Sequence, residues 1–287
     1  AATILGYPRI GPRRELKKAV ESFWAGRTSA AELEATSANL RRQTLERLAE
    51  LGLNAADSSI PLDFSYYDQV HDVAVALGIV PERFADQRAA DGSIDLAGYF
   101  TLARGEGDRV PLEMTKWLDS NYHYLVPEIA PDTAIGYVGS RRVAEVREAL
   151  ALGVTGRPVL VGPVTFLLLA KAADGSPEGF APIERLDDVV AAYAALLADL
   201  RAAGAQWVQL DAPALTSDTW STPRAEVKAA VARAYGALAS VGAQDRPEIL
   251  VAASYGRLGC VVDELLASGV EGIALDLVKG EVPAATT

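Results

Sequence analysis

A run of basic residues near the amino terminus is the first feature of the sequence that could do chemistry. Residues 9–18 read RIGPRRELKK, and Arg14, Lys17 and Lys18 cluster on one face of a predicted helix whose apolar stripe faces inward. Cations at a helix amino terminus oppose the helix dipole, whereas the amides there attract anions. A carboxylate or phosphate ligand would relieve this conflict, although a solvated basic face has the same composition.

A second cluster combines acidic, basic, amide and aromatic side chains. It reads EMTKWLDSNYHYLVPE and contains Glu113, Lys116, Asn121, His123 and Glu128. We expect it where the third βα loop begins, and barrel enzymes place their functional groups in such loops. A histidine between aromatic residues is more often a hydrogen-bonded structural residue than a base, so His123 has both interpretations.

Acidic residues follow several predicted strands. Asp57, Asp211 and Asp276 come directly after strands, and Asp68 lies in the helix predicted to follow the first of these. Carboxylates at strand ends can bind ligands or act as bases, but aspartate also caps helices and begins turns. His71 lies three residues after Asp68, a spacing that predicts a structural hydrogen bond.

Metal chemistry is not expected within this chain. Cys260 is the single cysteine, and His71 and His123 are the only histidines, which is a poor set for a zinc site of three or four ligands. Cys260 could have a lowered pKa near a helix start, but a small buried side chain is the simpler interpretation.

Charge and hydropathy narrow the classes of partner. The formal net charge of −11 disfavours general binding to nucleic acids or anionic membranes, which requires a broad positive field. No apolar run reaches the roughly 18 residues of a membrane span, and the start AATILGYPRIGP lacks the pattern of a secretion signal. We therefore expect a globular, cytoplasmic protein with no nucleic-acid or membrane partner.

The elements that must position these residues alternate between helices and short apolar runs. Helices ending near Gly precede strands such as RPVLVGPV and WVQLDAP, which is typical of βα units. The predicted strands are 2–5, 54–59, 113–115, 157–162, 207–210, 249–252 and 272–275. The predicted helices are 13–24, 30–51, 65–77, 141–152, 186–203, 225–241 and 258–267.

This alternation predicts an α/β fold of the (β/α)8 TIM-type barrel class, as one domain spanning residues 1–287. A doubly wound dinucleotide fold is disfavoured because no Gly-x-Gly-x-x-Gly follows the first strand. Seven strands can be counted, so the predicted barrel lacks its last strand.

Four segments together resemble one enzyme family. They are LGYPRIGPRRELKKAVESFWAG, PLEMTKWLDSNYHYLVPE, PVLVGPVTFLLLAK and WVQLDAPAL, and the match is collinear over essentially all 287 residues. The chain is similar to the amino-terminal domain of cobalamin-independent methionine synthase. The resemblance implies the first of two facing barrels in a methyltransferase that moves the methyl group of 5-methyltetrahydropteroyl-polyglutamate to homocysteine.

The resemblance also implies which residues bind and which part of the enzyme reacts. In the family, the amino-terminal barrel binds the polyglutamate tail of the folate, and the pattern maps onto Arg14, Glu15, Leu16, Lys17 and Lys116. The family's zinc lies in the carboxy-terminal catalytic barrel, so the resemblance implies no metal and no catalytic residue in this chain. Clustered Arg and Lys suit a tail with several carboxylates.

Departures from the family pattern leave other hypotheses open. The chain has Asp211-Ala212-Pro213 where the family reads Asp-Glu-Pro, and Ala253-Ser254 begin a segment where the family reads TYFG. One alternative is therefore a diverged, noncatalytic barrel that acts as a binding or assembly module. Another is an independent barrel enzyme that uses Asp211, Asp276 and Glu113 as acid and base.

Overall fold

The structure is a computed structural model that describes residues 2–217 and 219–281. The helices are α1 (Glu15–Trp24), α2 (Ala30–Glu50), α3 (Gln69–Ala76), α4 (Leu96–Arg104), α5 (Arg141–Ala151), α6 (Pro163–Leu169), α7 (Leu186–Ala202), α8 (Arg224–Ser240) and α9 (Val262–Ala267). The strands are β1 (Pro61–Leu62), β2 (Met114–Lys116), β3 (His123–Leu125), β4 (Glu128–Ile129), β5 (Arg157–Val161), β6 (Lys171–Ala172), β7 (Trp207–Asp211), β8 (Glu248–Ala253) and β9 (Gly272–Leu275). Residues 282–287, the end of the predicted domain, lie outside the described residues.

A parallel sheet in the order β1-β5-β7-β8-β9 forms the centre of the fold. Its strands follow one another along the chain, and α7, α8 and α9 connect β5 to β9 in turn. β5 is buried along its whole length, as expected for a parallel strand covered on both faces. The prediction of an α/β fold with parallel strands is therefore confirmed.

Two small sheets lie outside this central sheet. β2 and β3 form an antiparallel pair in which Lys116 lies opposite His123, and β4 and β6 form a short parallel pair. The prediction that residues 113–115 form the third strand of a barrel was therefore wrong. Most side chains of β2 are exposed, so the strand has no apolar face to place in a central sheet.

Two further strand predictions were also wrong. Residues 54–59 form turns, because Asn54 accepts a hydrogen bond from the Ala56 amide and Asp57 from the Ser59 amide; such local bonds compete with strand pairing. Residues 2–5 are not assigned to a strand, because side chains bind their backbone. Arg157 donates to the Ile4 carbonyl at 2.8 Å, and Gln209 donates to the Leu5 carbonyl at 2.8 Å.

The strands predicted at 157–162, 207–210, 249–252 and 272–275 are confirmed to within a residue or two. The predicted helices are present as well, with shifted ends. The helix predicted at 65–77 begins only at Gln69, because Asp68 caps it by accepting from the His71 amide at 2.8 Å. The segment predicted as helix 258–267 is a 3-10 turn (Gly259–Val261) followed by α9.

Two apolar clusters explain how the elements hold together. The larger cluster joins the central sheet to α5, α6, α7 and α8, with fully buried residues such as Phe166, Tyr193 and Tyr235. A second cluster packs α1, α2 and α4 around Phe64, Tyr66 and Phe100. The basic segment at the start of α1 is therefore positioned by the second cluster, not by the central sheet.

Candidate functional site

The basic segment forms a tight turn that leads into α1. We call it the basic turn and define it as Gly11, Arg13, Arg14, Lys17 and Lys18. The Arg14 amide donates to the Gly11 carbonyl at 3.0 Å, and Arg14 adopts left-handed backbone angles with φ of 62°. A left-handed conformation costs a residue with a side chain about 1–2 kcal/mol, so the surrounding contacts must hold it.

Glu15 supplies those contacts. Its carboxylate accepts from the Arg13 backbone amide at 2.9 Å and from Arg13 Nε at 3.0 Å. The hydrogen bond from the Arg13 side chain, followed by backbone hydrogen bonds, lowers the pKa of Glu15. Gly11 allows this arrangement because a Cβ there would approach Glu15 Oε2 to 2.3 Å. Glu15 therefore stabilises the turn through these hydrogen bonds, and its carboxylate already has partners.

Leu16 and Lys17 have opposite surroundings. Leu16 is 2% exposed and packs with Val20 in the second apolar cluster, so its side chain anchors the helix. Lys17 is exposed, and its ammonium lies 3.4 Å from Glu21 one helical turn further on. Such an exposed ion pair contributes little to stability, so Lys17 can exchange Glu21 for another anion easily.

Lys116 lies at the end of β2, on the outer hairpin, and its side chain is exposed. The hairpin is held by Asp68, which caps α3 with Oδ1 and accepts from the Leu125 amide of β3 with Oδ2 at 3.0 Å. Burial raises the pKa of Asp68 to about 7, against the effect of these two backbone hydrogen bonds. One buried carboxyl therefore ties the hairpin to α3.

The five residues implied by the resemblance divide between two parts of the fold. Arg14, Glu15, Leu16 and Lys17 share one turn, and their helix α1 packs against α2. Lys116 belongs to the hairpin, where β2 pairs with β3. In the described part of the chain, Arg14, Lys18 and Lys116 form no ion pair within 4 Å with an acidic side chain.

Several other sequence candidates have structural roles. Asp57 and Asp276 bind nearby backbone amides in turns, as capping aspartates do. Glu113 pairs with Lys171 at 2.9 Å, and Glu128 pairs with Arg83. His71 is fully buried and its Nε2 lies 2.9 Å from the Tyr99 carbonyl; burial lowers its pKa. The structural interpretation of His71 is thus confirmed.

Asp211 ends β7 in a chain of polar groups. Gln209 accepts from Arg157 and donates to Asp211 at 2.7 Å. Burial raises the pKa of Asp211 to about 7, and the charge of Asp63 raises it further. Ala212, the next residue, is fully buried. His123, by contrast, is an exposed residue of β3, and Cys260 is only partly buried, with its sulfur 3.7 Å from Arg224 Nη1.

A cavity lined by charged residues was not predicted from the sequence. It lies between α2, α3, α4 and α5, has a volume of about 530 Å³, and we call it the charged cavity. Its charged residues are Glu34, Arg41, Asp72, Arg141, Arg142, Glu145 and Glu148. The spacing of the charges in RRVAEVRE on the polar face of α5 was the available signal, but only the fold shows which helices meet it.

The described residues give no sign of a metal centre or a membrane segment. They contain no group of three or more His, Cys, Asp or Glu side chains arranged to hold a metal ion. In the same part of the chain, no helix combines the length and apolar character needed to cross a bilayer.

Comparison with known proteins supplies the family. The family model described as "Cobalamin-independent synthase, N-terminal domain" matches residues 1–286. The chain belongs to this family. It is 55% identical over 278 residues to a 5-methyltetrahydropteroyltriglutamate–homocysteine methyltransferase of Streptomyces griseus, covering 97% of this chain and 34% of that protein. A Mycobacterium tuberculosis protein of the same name is 51% identical over 280 residues, with the same shares covered.

Solved structures agree with the fold. A vitamin-B12-independent methionine synthase from Listeria monocytogenes superposes with a TM-score of 0.59 at 14% identity, over 95% of this chain and 70% of that one. A B12-independent methionine synthase from Shewanella gives 0.52 at 15% identity, over 80% and 55%. The chain spans about a third of the length of the curated relatives it matches.

Proposed function

We propose that this chain is the amino-terminal, tail-binding part of a methyltransferase that makes methionine from homocysteine and a polyglutamylated methyltetrahydrofolate. The relatives named above carry this substrate in their names. The observation that supports tail binding is the basic turn. Arg14 and Lys17 project from one helix start and are paired weakly or not at all in the described part of the chain, so they are available to an anion.

The physical match between tail and turn is one of charge and geometry. A triglutamate tail carries several carboxylates along a flexible chain. Arg14 can bind one of them through two parallel hydrogen bonds, and Lys17 and Lys116 can act as mobile point charges. The amino terminus of α1 adds a favourable dipole. In this proposal Glu15 and Leu16 shape the site, and do not themselves contact the tail.

The fold and the division of labour are part of the same proposal. We propose that the parallel sheet belongs to a (β/α)8 barrel of a single domain. The zinc of the family and the catalytic groups are assigned to the carboxy-terminal barrel, which is the partner of this chain. Alone, the chain should bind the tail without transferring the methyl group, and the working compartment is the cytoplasm.

Calorimetric titration of the chain with methyltetrahydrofolate carrying one or three glutamates tests the proposal. We expect tighter binding of the triglutamate, and a loss of about tenfold in affinity for Arg14→Ala, since a charge-assisted hydrogen bond contributes about 1.5–3 kcal/mol. Raised salt should weaken binding because the groups are exposed. Arg233→Ala removes an exposed arginine of α8 and is the matched control.

Equal affinity for both folates, or equal effects of Arg14→Ala and Arg233→Ala, would contradict tail binding by the basic turn. The result would then favour the alternative of a diverged, noncatalytic module. That alternative has one specific observation behind it, the buried Ala212 in place of an acid. It predicts that Ala212→Glu changes stability but creates no preference for the triglutamate.

A further inference from the structure

The two parts of the proposed tail site are both attached to one short segment, residues 67–68. Arg9, which precedes the basic turn, donates a hydrogen bond from Nη2 to the Tyr67 carbonyl. The Leu16 amide donates to the Ile10 carbonyl at 3.1 Å, which joins the backbone next to Arg9 to the first turn of α1. The basic turn is therefore connected to this segment through hydrogen bonds on its amino-terminal side.

The hairpin that carries Lys116 is attached to the same segment through Asp68. In an antiparallel pair, alternate amides of a strand point away from the partner strand. The Val126 amide donates across the hairpin to the Glu113 carbonyl at 2.8 Å. The preceding amide, that of Leu125, points the other way and donates to Asp68 Oδ2 at 3.0 Å. Asp68 therefore binds an amide that the pairing of β2 with β3 does not use.

Apolar packing joins the same elements. The centre of the Tyr67 ring lies 6.4 Å from that of Trp24, the last residue of α1. The Tyr67 ring also packs against the buried cluster that contains Leu125 of β3. One aromatic side chain thus contacts both the helix that follows the basic turn and the cluster beneath the hairpin.

The geometry of Asp68 suits a group that fixes a position. Its side chain is buried, and each carboxylate oxygen accepts from a backbone amide of a different element. Oδ1 caps α3 through the His71 amide at 2.8 Å, and Oδ2 binds β3. Hydrogen bonds to an ionised acceptor are stronger than neutral ones, so this short side chain holds the hairpin firmly to α3.

A separate contact keeps the hairpin folded on its other side. The Tyr124 hydroxyl donates to the Leu169 carbonyl at the end of α6, at 3.1 Å. The Trp117 ring, next to Lys116, packs edge-on against the Tyr124 ring with their centres 6.0 Å apart. Loss of the contact with Asp68 should therefore change the position of the hairpin relative to α3 and leave its strands paired.

We propose that Asp68 is a positioning residue for the polyglutamate tail, because it holds the hairpin where Lys116 can bind the same tail as Arg14 and Lys17. This inference rests on the proposed function. Asp68 does not contact the tail, since it is buried and both of its oxygens have partners. Its effect is transmitted through Lys116. A cation on a segment that is already ordered binds a flexible ligand more tightly, because less ordering opposes binding.

Two variants of Asp68 separate the hairpin contact from the helix cap. Asp68→Ser keeps a good capping residue for α3, but its single oxygen cannot also bind the Leu125 amide. Asp68→Asn keeps the shape of the side chain and places an N–H2 group against one of the two amides, so it serves if the serine variant does not fold. Asp95→Ser is the matched control, because Asp95 caps α4 through the Gly98 amide at 2.8 Å.

A double-mutant cycle with Lys116→Ala shows whether Asp68 acts through Lys116. We expect Lys116→Ala to weaken triglutamate binding about fivefold and Asp68→Ser to weaken it about threefold, in titration calorimetry. In the Lys116→Ala background, Asp68→Ser should have less than about a 1.5-fold effect, because the cation it positions is gone. Binding of the monoglutamate should change little in any of these variants.

Amide hydrogen exchange of residues 113–125 tests the contact without a ligand, and it should be faster in Asp68→Ser than in Asp95→Ser. Equal exchange in the two variants would overturn the inference. So would a loss of triglutamate binding that is the same with and without Lys116, which is the result of a purely structural role. If Lys116→Ala weakens triglutamate binding and Asp68→Ser does not, this inference alone fails. If Lys116→Ala has no effect, the proposed function fails at Lys116 and the inference fails with it.

Discussion

Arginine occurs in two contrasting settings in this molecule, the basic turn before α1 and the charged cavity behind α5. In the basic turn, Arg13 is 85% exposed and Arg14 has no ion pair within the described residues. In the cavity, Arg142 is 4% exposed and lies between two carboxylates. The role of each arginine in this molecule therefore depends on its burial and on its ion pairs.

The difference follows from the cost of removing charge from water. A buried arginine that two carboxylates share compensates for their lost hydration, so removing it is destabilising, whereas removing one of the carboxylates leaves the arginine with the other. An exposed cation has kept its hydration and loses little when its neighbour changes. We therefore expect the charged cavity to dominate stability and the basic turn to dominate binding.

The largest effect should come from Arg142→Met. This change leaves Glu145 and Asp72 without their guanidinium, and we expect a loss of about 3 kcal/mol in the free energy of unfolding, measured by urea denaturation. The double variant Arg142→Met, Glu145→Leu should recover part of the loss, since it also removes a stranded carboxylate. A loss below about 1 kcal/mol would mean that the cavity is wet enough to screen its charges.

A second effect should appear in the pH dependence of stability. Burial raises the pKa of Glu145 to about 6, although Arg142 and Arg41 oppose this shift. Because the pKa in the folded state lies above the ordinary value of 4.5, the folded protein favours the protonated form. The resulting stabilisation is complete below about pH 4.5 and is lost as the pH rises through 6.

Glu145→Gln removes this titration. Wild type and variant should have similar stability near pH 4, and the variant should become more stable by up to about 2 kcal/mol near pH 7.5. Urea denaturation at a series of pH values measures the difference. The titration of Glu15 in the basic turn affects stability with the opposite sign. The pKa of Glu15 is lowered in the folded state, so its contribution to stability is lost as the pH falls. A variant that is less stable at pH 7.5 would show that the pair with Arg142 outweighs burial.

A smaller effect should come from the backbone at Arg14. Arg14→Gly and Arg14→Ala both remove the guanidinium, but only glycine adopts φ of 62° without strain. We expect the glycine variant to be more stable than the alanine variant by about 1 kcal/mol, from denaturation midpoints. Equal stability would mean that the turn relaxes out of the left-handed conformation. Both variants should lose triglutamate binding alike if the side chain is the contact.

Much of the fold could be predicted because its signals are local. The apolar runs of β5, β7 and β8 follow from strand length, and the start of α2 follows from Ser29, which forms a capping box with Glu32. Residues 54–59 follow the end of a helix, where a strand was expected, but Asn54 and Asp57 bind backbone amides within the segment. Residues 2–5 depend on Arg157 and Gln209, more than 150 positions away.

The candidate site could be predicted only in part, because some of its contacts join segments that are distant in the sequence. The cluster of Arg14, Lys17 and Lys18 is visible as a spacing on one helix. The role of Glu15 depends on a left-handed turn that composition does not indicate, and the charged cavity brings together Glu34 and Arg141 from distant segments. Sequence reasoning finds charges that are neighbours along a helix, and it misses those that only tertiary packing makes neighbours.

The smallest effect on stability should come from Lys17→Gln. Lys17 has one exposed partner, Glu21, so the loss in the free energy of unfolding should stay below about 0.5 kcal/mol. The same change should weaken triglutamate binding clearly in the titration described above, because the tail offers Lys17 a second, multiply charged partner. Arg142→Met should show the reverse, with a large loss of stability and little change in triglutamate binding under conditions in which the variant remains folded. If Lys17→Gln instead affected stability and not binding, the two settings of basic residues would not divide their roles, and the basic turn would be a structural feature of α1.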